Sequence, residues 1–287
     1  PGGYGDPPHH ALRRPYPDLA GATFLVTATF TRMRDVARDW TKRLCLVRLD
    51  AAGAGYTIPW RGGPELRPTS EFNSHLAIHH TNAEIGRDAR VVVHTHPTEI
   101  IAMTHLAQFK SAEALNRVLW SMMPEAVLAF PEGVGFAPYR MTGTDALEEE
   151  TVKVIRQHRV CVWEKHGCLA VGADVQDAFD VLDTVNKCAR LYLLCKHAGQ
   201  DPEGIPPEEV EALRRVFISP SPDAPRPGTV ISSESEKSPA SASQSPPSVP
   251  SPSVSEAYGE DVRSADVRLT RFLASARNDK SPSPHPS

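Results

Sequence analysis

Val91-Val-Val-His-Thr-His-Pro97 is the stretch from which the rest of the chain is read. An unbroken valine run closed by proline describes a short buried strand, placed over Ala89–His94. Along a strand, alternate residues face the same side. His94 and His96 therefore point together at the strand's C-terminal end. Two imidazoles on one face, at the mouth of a sheet, form a natural pair of metal ligands. The plainer alternative is two polar residues at a strand end.

A catalytic zinc takes three protein ligands and keeps a fourth position open. The best third candidate is His166, in Trp163-Glu-Lys-His-Gly-Cys168. This is a tight connection between strands expected at Val160–Trp163 and Cys168–Val171, where Gly167 lets the backbone turn. A lone loop histidine is otherwise a solvated surface residue. His75 and His79 share a helix face at i,i+4, but without the H-E-x-x-H context of a helical zinc site.

Working outward, short strands are expected at Phe24–Ala28, Leu44–Leu49 and Tyr56–Trp60, the last two joined by a hairpin loop over Asp50–Gly55. Ser70 reads as the N-cap of a helix ending at Gly86, with Glu71 in its first turn. Thr98 caps a helix over Glu99–Leu106, and Ser111–Met122 is amphipathic. Ala126–Phe130 and Gly135–Tyr139 read as strands. Thr144 and Asp145 open a helix reaching about His158. Asp174 caps Val175–His197, with Phe179, Leu182, Val185, Ala189 and Leu193 as its buried stripe, and Pro207–Val216 is a short last helix. Strands alternate with helices, yet several are joined by hairpins. The pattern predicts a mixed α/β fold with a largely antiparallel central sheet and helices on both faces.

The bulk numbers narrow the function. Of 287 residues, 23% are charged and 40% apolar, ordinary for a globular protein. Thirty-one bases against thirty-five acids leave a net charge of -4, which does not suggest nucleic acid as a partner. No apolar run nears the roughly 20 residues that span a bilayer, so no membrane association is expected. The odd set of five cysteines contains no C-x-x-C pair, the pattern of reduced thiols in a cytoplasmic protein. Three segments are expected: an irregular stretch at 1–18 that begins at Pro1 and reads as the truncated start of a domain, a core at 19–217, and a Ser/Pro-rich tail at 218–287 too polar to fold. Within that tail, Ala265–Ala276 is a weak candidate for a docking helix.

Several motifs recur together and in order: Pro68-Thr-Ser-Glu-Phe72, His94-Thr-His-Pro97, Phe130-Pro-Glu-Gly-Val-Gly-Phe136, Thr142-Gly-Thr-Asp145 and His166-Gly167. In this the chain, from about Phe24 to Gly199, resembles the class II aldolase/adducin family. The resemblance implies a metal lyase that splits a ketose 1-phosphate into dihydroxyacetone phosphate and an aldehyde, here lactaldehyde. Its partner is a small sugar phosphate and its assembly a homotetramer. It implies one Zn2+ per chain held by His94, His96 and His166. It makes Glu71 the catalytic acid/base, Glu125 an assisting acid, and Thr69 and Ser70 contacts of the phosphate; Thr29 can add a hydroxyl there. The chemistry is consistent: breaking a carbon–carbon bond beside a ketone leaves an enediolate, zinc is a Lewis acid for that charge, and a carboxylate can move the protons. Free N–H groups at a helix start suit a phosphate. On its own, Glu71 is equally a first-turn acid favoured by the helix dipole.

Two stretches depart from the family pattern. Pro1–Gly21 contains no Asn/Gly-rich phosphate loop of the kind the family carries upstream of its first strand, and the small glycine turn after that strand reads Ala28-Thr29-Phe30-Thr31 here, with a bulky ring where backbone must approach phosphate. A related epimerase or dehydratase acting on another ketose is therefore an alternative. So is a non-catalytic, adducin-like interaction module, against which the costly cluster of His94, His96, His166 and Glu71 argues.

Overall fold

The structure, a computed structural model, describes residues 8–218. Its strands fall into two four-stranded sheets. The first contains β1 (His10–Ala11), β2 (Thr23–Thr27), β3 (Leu44–Leu49) and β4 (Gly55–Arg61), in the order β1-β4-β3-β2, with every pair antiparallel. On β3, Cys45, Val47 and Leu49 alternate inward while Arg48 points to water, the period of two that a one-sided sheet imposes. The β3–β4 loop is tied by Asp50, whose Oδ1 accepts the N–H groups of Ala52 at 3.0 Å and Ala54 at 2.9 Å. Helix α1 (Met33–Asp39) bridges β2 and β3.

The second sheet is built from β5 (Val91–Thr95), β6 (Val134–Ala137), β7 (Val160–Trp163) and β8 (Gly167–Gly172), in the order β5-β8-β7-β6. The β6–β7 pair is parallel and the others antiparallel. All four residues of β7 are buried, so both faces of this sheet are covered. Val160 and Val162 pack into a cluster with α3 (Thr98–His105), α4 (Ala112–Met122), α5 (Pro124–Ala129) and α7 (Val175–His197). Cys161 and Trp163 face the other way, against α2 (Phe72–Glu84) and α6 (Asp145–Ile155). Each Val, Leu or Ile sealed in this way contributes roughly 1.5–3 kcal/mol. Helix α2 lies between the sheets: Leu76 and Ala77 join the core of the first, and Ile78 that of the second. Asn116 clips β6 to α4, accepting from Val134 N–H at 2.8 Å and donating to Val134 O at 2.9 Å. Helix α8 (Pro207–Ile218) rests on α4 and α5.

The mixed, mostly antiparallel α/β reading holds, and several local expectations are corrected. Ala126–Phe130 is helical, not extended: Pro124 starts α5 at its first position, and the apolar run is a buried helix face. Ser70 and Thr98 do not cap. Glu71 occupies the N-cap position of α2 and Pro97 that of α3, neither with a side-chain cap bond. Ser111, Thr144 and Asp174 do cap their helices through the expected side-chain oxygens. Of the stripe expected on α7, Leu182, Val185 and Ala189 are buried and Leu193 packs against the same cluster, but Phe179 is half-exposed, and Ala178, Val181 and Cys188 are buried in addition. The short β1 and the buried ring of Tyr16, whose hydroxyl donates to Glu148 at 3.0 Å, order part of the stretch expected to be irregular. The five cysteines are free thiols, four of them buried. Among the described residues no helix is long and apolar enough to cross a membrane. Ala265–Ala276 lies outside the described residues.

Candidate metal centre

Three histidines meet at one end of the second sheet. On β5, Val93 faces the α3/α4/α5/α7 cluster, so His94 faces the opposite side, where its ring lies 4.6 Å from that of Trp163. His94 Nδ1 is 3.1 Å from the carbonyl oxygen of Cys168. A carbonyl only accepts, so Nδ1 carries the proton and Nε2 keeps its lone pair. His94 Nε2 is 3.1 Å from His96 Nε2. Two nitrogens sharing one tetrahedral zinc at ordinary bond lengths sit about 3.3 Å apart, so this pair is already at ligand spacing. His166 completes the set. One ligand atom from each of the three lies within 4.8 Å of the others, and no other group of three His, Cys, Asp or Glu among the described residues does this.

The β7–β8 hairpin positions His166. Its turn is Glu164–His166, with His166 N–H donating to Trp163 O at 3.1 Å. The left-handed residue is Lys165 at φ 59°, not Gly167 as the sequence suggested. Gly167 is needed for a different reason: a Cβ there would sit 2.6 Å from Thr95 O, 2.8 Å from His94 Cε1 and 2.9 Å from His96 Cδ2. Glu164 pins the turn, accepting from Lys110 Nζ at 2.7 Å and from Tyr139 N–H at 3.0 Å. The Lys110 contact, followed by the Tyr139 amide, lowers the Glu164 carboxyl from 4.5 to about 2. Trp163 stacks on His166 with ring centroids 4.9 Å apart and donates its own N–H to Thr151 at 2.8 Å.

The electrostatics favour a metal. Burial, then the neighbouring imidazoles, holds His94 well below its ordinary pKa, and burial followed by His96 takes His166 down to about 4. These rings are neutral at neutral pH, the form that ligates. The buried Nδ1 of His166 has no hydrogen-bond partner. His75 and His79, each taken down to about 4 by burial, line the same helix face nearby but do not join the group.

Glu71 starts α2, one turn before His75. It is only 6% exposed, and its Oε2 is buried without a partner. Burial raises its carboxyl pKa, opposed by the Gly143 amide and by Arg13. Beside it opens a cavity of about 350 Å³ lined by residues that include Arg13, Thr29, Tyr56, Arg67, Thr69 and Ser70. Thr29 Oγ1 donates to Pro68 O at 2.7 Å, its N–H to Arg67 O at 2.9 Å, and Glu71 N–H to Thr69 Oγ1 at 3.4 Å. Phe30 takes φ 61°, the conformation glycine would adopt, and its ring is 98% exposed and outside the cavity. The bulk expected to obstruct the turn thus faces water.

The structure therefore groups His94, His96 and His166, and separately Thr29, Thr69 and Ser70 beside Glu71. It does not bring Glu125 to either group. Glu125 is exposed on the first turn of α5, and its charge is felt by Cys188 of α7, on the opposite side of the sheet from His94. Sequence reasoning missed Arg13, Arg67, Trp163 and Glu164. Arg67 directly precedes Pro68-Thr-Ser-Glu71, a signal that was available; Arg13 carried none.

The family pattern described as Class II Aldolase and Adducin N-terminal domain matches residues 12–193. A rhamnulose-1-phosphate aldolase of Bacteroides thetaiotaomicron is 36% identical over 204 residues, 71% of this chain and 75% of its own. One from Pectobacterium carotovorum is 34% identical over 216 residues, 75% and 78% of the two chains. Among solved structures, a sugar-phosphate aldolase from Thermotoga maritima superposes with a TM-score of 0.59 at 30% identity, covering 71% of this chain and 84% of its own.

Proposed function

The chain belongs to the class II aldolase and adducin family, and from that premise we propose that this lyase performs the zinc-dependent retro-aldol cleavage of L-rhamnulose 1-phosphate to dihydroxyacetone phosphate and L-lactaldehyde. The observation that carries the reading is the cluster of His94, His96 and His166, with ligand atoms within 4.8 Å of one another. Three imidazoles, one of them tautomerically fixed by Cys168 O, are a donor set that suits zinc. A zinc ion held there would supply Lewis-acid stabilisation of the charge that develops as the carbon–carbon bond breaks.

The chain's own residues supply the rest. Glu71 Oε2, buried and unpartnered, is the atom available to take the proton of the aldol hydroxyl. Its carboxyl, raised by burial, can return a proton to carbon afterwards. Thr29, Thr69 and Ser70 line the cavity beside it and hold the phosphate. Trp163 walls the metal side and keeps His94 and His166 in place. A catalytic part for Glu125 would have to be played in the site of another copy, which fits the homotetramer of the same proposal; so does a cytoplasmic setting.

The test combines elemental analysis of the purified chain with turnover of rhamnulose 1-phosphate on the same sample. One zinc per chain with turnover is expected. Glu71→Gln should keep the zinc and lose turnover by roughly 10²–10⁴-fold. Zinc without turnover would redirect the reading to another ketose, and no zinc to a non-catalytic module.

A further inference from the structure

The cavity beside Glu71 has a charge pattern that its hydroxyl groups do not explain. Its lining includes two arginines, Arg13 and Arg67, and no aspartate or glutamate, in a chain whose net charge is -4. A lining with two positive side chains and no acidic one suits an anion, and a phosphate monoester carries close to two negative charges at neutral pH.

The two arginines are held differently. The Arg67 guanidinium makes no ion pair or side-chain hydrogen bond to any described residue, while its backbone carbonyl fixes Thr29 at 2.9 Å. Its forked donors are uncommitted and lie next to the turn that presents the Thr29 hydroxyl. Arg13 pairs with Asp145 at 3.1 Å, with both side chains largely exposed, the kind of ion pair that exchanges readily. Its charge also reaches Glu71. The N-terminus of α2, a thirteen-residue helix, opens at the same wall through Phe72 and Asn73. Phe30, turned outward at φ 61°, leaves the space free.

We propose that Arg67 and Arg13 are the anion-recognising residues of this pocket, and that side-chain charge here selects a phosphorylated over an unphosphorylated ketose. Arg67 is the capturing cation. Arg13 lines the same cavity and its charge reaches Glu71, so it links the phosphate end of the substrate to that carboxylate. The inference rests on the ketose phosphate reading above and names the residues that give it specificity.

The experiment is calorimetric titration of the full chain with inorganic phosphate, for the parent, Arg67→Gln, Arg67→Lys and Arg13→Gln, with KM and kcat for the phosphorylated ketose measured in parallel. Arg67→Gln should weaken phosphate binding by roughly 10- to 100-fold and raise KM by a similar factor, more than it lowers kcat. Arg67→Lys should recover part of the loss, and the parent's affinity should fall with added salt. Unchanged phosphate affinity in Arg67→Gln, at an unchanged melting temperature, overturns the proposal, as does a parent chain that binds no phosphate. If the parent binds phosphate through Arg67 yet cleaves no ketose phosphate, the proposed function falls while the arginine assignment stands. If cleavage is normal and Arg67→Gln leaves KM where it was, the reverse holds.

Discussion

The histidine cluster and the anion cavity adjoin α2 but are built in opposite ways. The cluster comes from one sheet: a strand end and the neighbouring hairpin, placed by the β5–β8 register that pairs His94 with Leu169 and Thr95 with Cys168. Its rings are wedged by Trp163 and its turn is pinned through Glu164. The cavity collects loops and ends from far along the chain, Ala11 and Arg13, Thr29, Tyr56, Arg67–Ser70 and Phe72–Asn73, and both its arginines are exposed. A metal needs ligands held within a few tenths of an ångström. An anion is satisfied by charge and a few donors, so looser elements suffice.

The sharpest way to break this contrast is Gly167→Ala. The added methyl would meet the Thr95 carbonyl at 2.6 Å, and backbone cannot swing aside like a flexible side chain. The variant should be destabilised by about 3 kcal/mol and lose its metal, read by chemical denaturation and elemental analysis. If both stay at parent values, the hairpin is not the rigid element described, and the distinction between the regions collapses.

A smaller effect is expected from Glu164→Gln, which removes the charge that holds the turn. It should cost about 1–2 kcal/mol at pH 7. The Glu164 pKa is lower in the folded chain, about 2 against 4.5, so its contribution is present above pH 4.5 and is lost as pH falls towards 2. The gap in melting temperature between variant and parent should therefore narrow on acidification through that window. A gap that does not change with pH would assign the loss to packing.

The smallest effect belongs to the cavity side. Phe30→Gly removes a ring that touches nothing and relieves a left-handed φ, against the extra entropy glycine gains when unfolded. The net should be a stabilisation of at most about 1 kcal/mol in a thermal melt. A clear loss would mean that the exposed ring is covered in solution.

The same contrast governs what the sequence revealed. His94 and His96 follow from the period of two along one strand, and His166 from its place in a tight connection, so the metal cluster was legible from local pattern. The hydroxyl-bearing residues came with the Pro68-Thr-Ser-Glu71 motif. Arg13 could not be read in this way, because the pairing that brings its segment to the cavity, Ala11 with Gly55, is tertiary and only two residues long. Ala126–Phe130 was misread because a short apolar run fits a buried strand and a buried helix equally, and Pro124 was the local cue that decides between them. The inward face of α7 was misjudged only at its start, since Phe179 is the more apolar residue but Ala178 is the one small enough to meet Gly172 closely.

Helix α2 gives Leu76 and Ala77 to one sheet and Ile78 to the other. Neither sheet can melt alone without stripping a hydrophobic partner from the helix that both require, so the two layers unfold as a single cooperative unit. Glu71 is the N-cap residue of that shared helix. The carboxylate proposed to move protons is thus anchored next to the helix that joins the two layers, while the Arg67 proposed to meet the anion lies on the exposed loop just before it.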